Sequence, residues 1–484
     1  MSQGLARILV FVTSASILVL EVLAGRLLAP YLGVSLEVFT GIIGVVLAGI
    51  AVGAWAGGRL ADGTDPTRLP GWLLIGGGLT AVASPLIVDL VGPDFSGLST
   101  EPLAIVTVAA LAFFAPAVLL SGVPPVVVKI RLASLDQTGT VVGSYSAIGT
   151  AGALVGTFVT GFVLIAAFPT RPVIFVVGAL LVAIGVVLLG TRGIWAVAGL
   201  AALGGLLLAY EGPCQYETSY HCAIVVEDPG RATGRTLLLD GVRNSYVDLA
   251  DPTHLEFRYI RVIDDVVRVE LGSGALSAAH IGGGGFTFPG YLSETRPGTT
   301  NTVLEIDQSL VDIGVDHLGL RRPDEVVVGD ARRSLLAIPA ASLDLVVGDA
   351  FSGYSVPWHL TTVEFIEEIA ARLRPGGIYV ANIIDYPDLG FVRRELAALR
   401  EVFEHVAVVA PPSYLEGSSG GNFVVIGSDG SLDLAGIEAE ITARGGAEIG
   451  LHGADLTTFI DGAPPLVDDF APVDQLLTQP RLAG

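Results

Sequence analysis

The rhythm of apolar positions divides the chain into two halves. Through the first 210 residues apolar side chains run on in long stretches broken by short polar turns, at roughly 7–29, 38–58, 70–92, 103–121, 140–167, 172–190 and 194–210. A bilayer core ~30 Å thick needs about 20 consecutive apolar residues as helix, so these seven stretches predict seven transmembrane helices and a lipid bilayer as partner. The first is too long, and too closely followed by others, for a cleaved signal peptide. Several hold small residues at close spacing, as in Gly149-Thr150-Ala151-Gly152-Ala153 with Gly156 and Gly161, which lets helix backbones approach in lipid.

Beyond Tyr210 the pattern changes to short β-rich runs and amphipathic helices. Segments 223–227 and 236–240 predict strands of a small β region, 211–275, bounded by Gly and Pro. From 276 to 484 apolar strands alternate with helices, the pattern of a mostly parallel sheet covered by helices. The expected architecture is therefore a polytopic α-helical membrane domain, 1–210, followed by a small β region and a soluble, doubly wound α/β domain.

Charge sharpens this division. The chain carries 26 basic and 48 acidic residues, a formal net charge of −22. Residues 1–210 hold eight of each sign, so the whole excess lies in the second half, where every basic residue is Arg; Lys129 is the only lysine in the chain. A dense carboxylate surface suits molar salt, in which its self-repulsion is screened, and predicts a halophilic protein; codon preference alone accounts for the missing lysine but not for the acid excess. It also argues against nucleic acid as a partner.

With seven spans, Arg7, Arg59, Arg68, Lys129, Arg131 and Arg192 fall on one side, and the opposite loops hold little beyond Arg171 and the acids Asp89, Asp94 and Glu101. The positive-inside rule then places the N terminus in the cytoplasm and, with an odd number of spans, the soluble domain outside. Cys214 and Cys222 follow the last span, where an oxidising exterior would permit a disulfide; two free thiols are the alternative. Glu21 and Arg26 sit within the first span. Charges at that depth usually pair or face a cavity and are functional candidates by default; the structural alternative is that Arg26 snorkels to the interface and Glu21 bonds a neighbouring helix.

The chemistry lies in the soluble half. The strand Ala278-Ala279-His280-Ile281 runs into Gly282-Gly283-Gly284-Gly285, a turn whose backbone N–H groups can approach a ligand closely. About 20 residues on, Thr302-Val303-Leu304-Glu305 ends in an acid where such a sheet places the carboxylate that grips ribose hydroxyls. A third strand ends in Gly329-Asp330-Ala331, suited to bond an adenine amino group, and a fourth in Gly348-Asp349-Ala350-Phe351. Capping the helix that follows each strand is the duller role open to each acid. A fifth strand, 376–382, ends in Asn382. His254, His280 and His359 lack metal-ligand spacing, and no metal is expected.

Across about residues 236–428 the chain resembles the spermidine synthases, the polyamine aminopropyltransferases. Asp240, in Leu239-Asp240-Gly241-Val242, resembles the start of their substrate region, Gly282 to Gly285 their nucleotide loop, Glu305 their ribose acid, Asp330-Ala331 their adenine contact and Asp349 their catalytic aspartate, with Phe351 beside it in the substrate pocket. Tyr414, in Pro412-Ser413-Tyr414, resembles the tyrosine of their late loop. With the helical half in front, the whole resembles membrane-fused members, whose first span carries an element like Leu20-Glu21-Val22-Leu23-Ala24-Gly25-Arg26.

The resemblance implies a Rossmann-like fold of the class I S-adenosylmethionine methyltransferase type. It implies decarboxylated S-adenosylmethionine, or a nucleoside like it, as donor and an amine as acceptor, with a homodimer as a further expectation. There are departures. Gly285 stands where the family carries an Asp, Ser352 and Gly353 stand near where it carries a second catalytic Asp, and its Tyr-Gln pair aligns with His254-Leu255. These leave the nucleotide pocket better preserved than the polyamine pocket. They keep open a transferase acting on a lipid or exported protein, and a non-enzymatic transporter or sensor.

Overall fold

The computed structural model describes residues 1–95, 101–132, 138–209, 212–322, 325–351, 353 and 355–477. Tyr210, where the apolar half was expected to end, and Ser352 lie outside them. The chain divides into two compact units, Met1–Cys222 and Ala223–Gly484.

In the first unit, six helices among the described residues are long and apolar enough to cross a membrane: α1 (Gln3–Leu32), α2 (Leu36–Gly63), α3 (Leu69–Phe95), α4 (Pro102–Arg131), α5 (Thr138–Ala167) and α6 (Thr170–Gly193). The seventh stretch forms a helix too, α7 (Trp195–Ala209), but its 15 residues reach only about 22 Å at 1.5 Å per residue. Six helices among the described residues thus have full membrane-crossing length, and the seventh expected span is present as a shorter apolar helix. Large apolar side chains such as Leu47, Phe162, Val187 and Trp195 point outward, as a lipid-facing surface requires. Small residues form the seams. A Cβ at Gly152 would lie 2.3 Å from the Phe11 carbonyl oxygen, and one at Gly156 2.4 Å from that of Ala15, so α5 lies backbone to backbone against α1.

Several charges in this unit are paired. Arg171 donates to both oxygens of the buried Asp89 at 2.6 Å, and Tyr31 donates to Asp89 at 3.2 Å. Arg26 is largely buried. It pairs with Glu217 at 3.4 Å and donates to the carbonyls of Ile165 and Thr218, while Glu217 accepts from the Thr170 N–H at 3.0 Å. Arg26 thus ties the end of α1 to the segment after α7. Cys214 and Cys222 form a disulfide across that segment.

The second unit opens with an antiparallel meander, β1 (Cys222–Asp228), β2 (Arg231–Leu239) and β3 (Val242–Asp248). Asp240 (φ 50°) and Gly241 (φ 79°) make the two-residue turn between β2 and β3, the left-handed pair that matches strand twist in a hairpin. Helix α8 (Arg258–Leu271) leads into an eight-stranded sheet. Its strands are β4 (Ser277–Ile281), β5 (Thr300–Glu305), β6 (Val326–Val328), β7 (Leu343–Gly348), β8 (Leu373–Asp385), β9 (His405–Ala410), β10 (Gly421–Ser428) and β11 (Ile449–His452), in the order β11-β9-β10-β8-β7-β4-β5-β6. The five strands from β4 to β8 are mutually parallel, and β9 to β11 extend the sheet antiparallel.

Alternation along the strands makes two cores. Val346 and Val425 face Phe365, Phe391 and Leu396 on one side, and Leu345, Val347, Val424 and Ile426 face Ile263, Val266 and Ile437 on the other. A sheet buried on both faces needs near-continuous apolar strands, which is why β7 reads Leu343-Asp344-Leu345-Val346-Val347-Gly348.

Candidate active site

The carboxyl ends of β4, β5, β6 and β7 meet at one edge of the sheet and are stitched together by backbone. The Asp349 N–H donates to Ile281 O at 2.9 Å, the Gly282 N–H to Leu304 O at 2.9 Å, and the Gly329 N–H to Glu305 O at 2.8 Å. The four sequence-predicted tips, Gly282–Gly285, Glu305, Asp330 and Asp349, therefore occupy consecutive positions along one edge. Ligands of open α/β sheets bind outside such an edge.

The glycine turn is dictated by space as much as by conformation. Gly282 has φ 93°, and a Cβ there would lie 2.6 Å from the Asp349 carbonyl oxygen, so no larger residue lets β4 and β7 end this close. The turn is held from two sides. The Gly283 N–H donates to Glu305 Oε2 at 2.8 Å, and the Gly285 N–H donates to the Ser245 hydroxyl on β3 at 2.9 Å. Glu305 is buried and also accepts from the Asp307 N–H at 2.9 Å. Asp307, two residues on, caps the next helix through the Ser309 N–H at 3.0 Å. Of these two neighbouring acids, Glu305 faces the glycine turn and Asp307 does not.

Asp349 borders a cleft whose wall includes Ser245, Tyr246, Glu256, Tyr259, Gly282 and Gly283. Both of its oxygens have donors: Tyr259 Oη donates to Oδ2 at 2.9 Å and Asn382 Nδ2 to Oδ1 at 2.9 Å. Asn382 is held in turn by Asn422 Nδ2, which donates to its Oδ1 at 2.9 Å. Desolvation pushes Asp349 up to about 6, against the lowering effect of the Asn382 and Tyr259 hydrogen bonds. A carboxylate poised near neutrality and fixed by two donors can take a proton from a bound nucleophile. His280, on the same wall, is held neutral by burial, pushed down to about 4, and bonds Asn301 Oδ1 at 2.9 Å.

The other predicted site residues divide. Asp330 takes the capping role, accepting from the Arg333 N–H at 2.9 Å, and its second oxygen bonds His359 Nε2 at 2.9 Å; Ala331 is buried behind it. Tyr414 lies over Gly421, where a Cβ would sit 2.4 Å from its ring, and packs at 5.8 Å against Phe423; it flanks Asn422 rather than the cleft. Phe351 packs onto the core beneath the sheet. Asp240 occupies the β2–β3 turn and, like His254, is not among the cleft-lining residues.

His254, which aligns with the family's tyrosine, pairs with Glu256 at 3.1 Å, Leu255 is buried in the core, and two tyrosines, Tyr246 and Tyr259, line the cleft. Tyr259, Asn382, Glu256 and Ser245 escaped the sequence reading as site residues. The available signal was the cluster Glu256-Phe257-Arg258-Tyr259 opening an amphipathic helix, where a register four to five residues later puts a tyrosine in place.

No family model matches the chain. It is similar to a probable polyamine aminopropyl transferase of Bifidobacterium longum, 27% identical over 176 residues, covering 36% of this chain and 37% of that protein. It is also similar to a polyamine aminopropyltransferase of Vibrio vulnificus, 32% identical over 127 residues, covering 25% of this chain and 42% of that one. Both matches span less than half of the relative's length. Among solved structures, a probable spermidine synthase from Corynebacterium glutamicum is 33% identical, with 53% of this chain and 97% of that chain covered and a TM-score of 0.49. Over part of its length the chain is similar to polyamine aminopropyltransferases and to a spermidine synthase, and it reads as a transferase.

Proposed function

We propose that the second unit transfers an aminopropyl group from decarboxylated S-adenosylmethionine to an amine, and that the apolar helices anchor this transferase in a membrane. The observation that carries the reading is Asp349, held by Tyr259 and Asn382 at the rim of a cleft walled by the glycine turn. Gly282 to Gly285 and Glu305 would hold the nucleoside, the carboxylate as the acceptor for ribose hydroxyls. Asp330, Ala331, Phe351 and Tyr414 would shape the pocket from the second row.

The chemistry is a single displacement. The amine lone pair attacks the methylene carbon beside the sulfonium, the C–S bond breaks with its electron pair passing to sulfur, and a neutral thioether leaves. An ammonium cannot attack, so the acceptor's proton goes to Asp349. Incubating the full-length protein in detergent with the donor and putrescine, agmatine or cadaverine tests this; release of 5′-methylthioadenosine with a coupled amine supports it, and none with any of the three amines refutes it.

A second reading, a transferase of the same family acting on a lipid or an exported protein at the outer face, is favoured by the Cys214–Cys222 disulfide, which persists in an oxidising compartment. It requires α7 to cross the membrane. A reporter fused after residue 484 distinguishes the two, since a cytoplasmic signal leaves the second without support.

A further inference from the structure

One polar group on the cleft wall holds a hydrogen-bonding position that the displacement does not use. His280, on β4, lines the cleft among Ile263, Phe288, Pro289 and Val347. Its tautomer follows from its neighbour. Asn301 Nδ2 donates to the Pro289 carbonyl at 3.2 Å and to Ser293 Oγ at 2.9 Å. A carbonyl only accepts, so the Asn301 amide is fixed with Oδ1 towards His280, and the ring nitrogen 2.9 Å from it, Nε2, has to be the donor. Burial keeps the ring neutral, which leaves Nδ1 as a bare lone pair. Nδ1 has no hydrogen-bond partner among the described residues, yet it is not one of the unpartnered polar atoms sealed inside the fold, so it opens onto the cleft. The hydroxyls of the same wall are committed: Ser245 donates to Asn244 Oδ1 at 2.7 Å, Tyr246 to Asp228 at 2.7 Å, Tyr259 to Asp349 at 2.9 Å and Thr287 to the Tyr246 carbonyl at 2.9 Å. Strand register sets the distance to the base. His280 pairs with Val347 across β4 and β7, and Asp349 follows Val347 by two residues, on the same face of the sheet. One strand over and two residues along is roughly 8 Å between the Cα atoms of His280 and Asp349, within the span of a short diamine.

From this arrangement we infer that the Nδ1 lone pair of His280 receives the N–H or O–H at the far end of the acceptor whose near end gives its proton to Asp349, which makes His280 a specificity-determining residue for acceptors with a hydrogen-bond donor at both ends. The inference rests on the transferase reading and adds the second anchor of its substrate. Among apolar neighbours, a lone pair that faces a methyl group gives up its water and gains no partner. An acceptor ending in methyl therefore binds less well than one of equal length ending in an amine or a hydroxyl, although the surrounding Ile263, Phe288 and Val347 alone would favour the methyl.

The test follows aminopropyl transfer by the full-length protein in detergent to three amines of one chain length, putrescine, 4-amino-1-butanol and butylamine, whose far ends are an amine, a hydroxyl and a methyl. The wild-type protein is expected to favour each of the first two over butylamine in kcat/KM. His280→Leu is expected to cut both ratios about 3- to 10-fold, the scale of one hydrogen bond, and to do so through KM more than kcat. Equal kcat/KM for 4-amino-1-butanol and butylamine in the wild-type protein overturns the inference, a result that does not depend on the folding of any variant. Ratios that survive His280→Leu overturn it too, as does their loss in Glu256→Gln alone, which would assign the far end to the other carboxylate of the cleft wall. Release of 5′-methylthioadenosine separates this inference from the reading beneath it: no release with any of the three amines removes both, whereas release with putrescine and unmoved ratios removes only this one.

Discussion

Tyr259 donates its hydroxyl to Asp349 Oδ2 at 2.9 Å from 90 residues away in the chain. This contact joins the helix that follows the β meander to the fourth parallel strand, and it fixes Asp349 as a desolvated, hydrogen-bonded carboxylate.

A pH dependence follows from that setting. Burial raises Asp349 to about 6, so the base form needed to accept a proton is lost as pH falls through that value. The expected kcat/KM profile has an acid limb near pH 6, falling about tenfold per unit below it. The Tyr259 hydrogen bond lowers this value, so Tyr259→Phe is expected to shift the limb to higher pH. A limb that stays in place would remove Tyr259 from the account.

Glu305 is expected to matter for binding before chemistry. Its Oε2 holds the Gly283 N–H, and Glu305→Ala would leave that donor and the Asp307 N–H without their partner, at a cost of about 1–3 kcal/mol each if buried. Calorimetry with 5′-methylthioadenosine should show affinity falling about 10- to 100-fold, with a lower melting temperature.

In the membrane unit, the α1–α5 seam predicts a contrast between two glycines of one helix. Gly152→Leu would push against the Phe11 carbonyl, whereas nothing lies within 4 Å of a Cβ at Gly161. The first substitution is expected to yield protein that aggregates in detergent and the second to be tolerated, as size-exclusion profiles would show.

What was legible in the sequence followed local pattern. Apolar run lengths located the long apolar helices and the shorter α7 after them. Glycine at positive φ and acids at strand ends located the sheet edge. They singled out Glu305, which is aimed at the turn, while Asp307 is aimed at its own helix. Tyr259, Asn382 and Asn422 were illegible as a group, since their hydrogen-bonded relay to Asp349 exists only once α8, β8 and β10 are packed around it.

The acid excess makes its own prediction. With 48 acidic against 26 basic residues, self-repulsion is screened only when the Debye length is short, ~3 Å at 1 M salt. The unfolding midpoint is expected to rise steadily from 0.1 M to 2 M potassium chloride, on the order of the concentrations that bring screening to contact distance. A flat response would remove the salt-adapted reading.

The central claim is that Asp349 is the base of a group transfer at the cleft. The most direct measurement is mass-spectrometric detection of 5′-methylthioadenosine and coupled amine from the full-length wild-type and Asp349→Asn proteins, supplied with decarboxylated S-adenosylmethionine and an acceptor. The account predicts equal amounts of the two products from wild type and a rate about 10²- to 10⁴-fold lower from the variant, with nucleoside binding retained. Equal rates from the two proteins would contradict it.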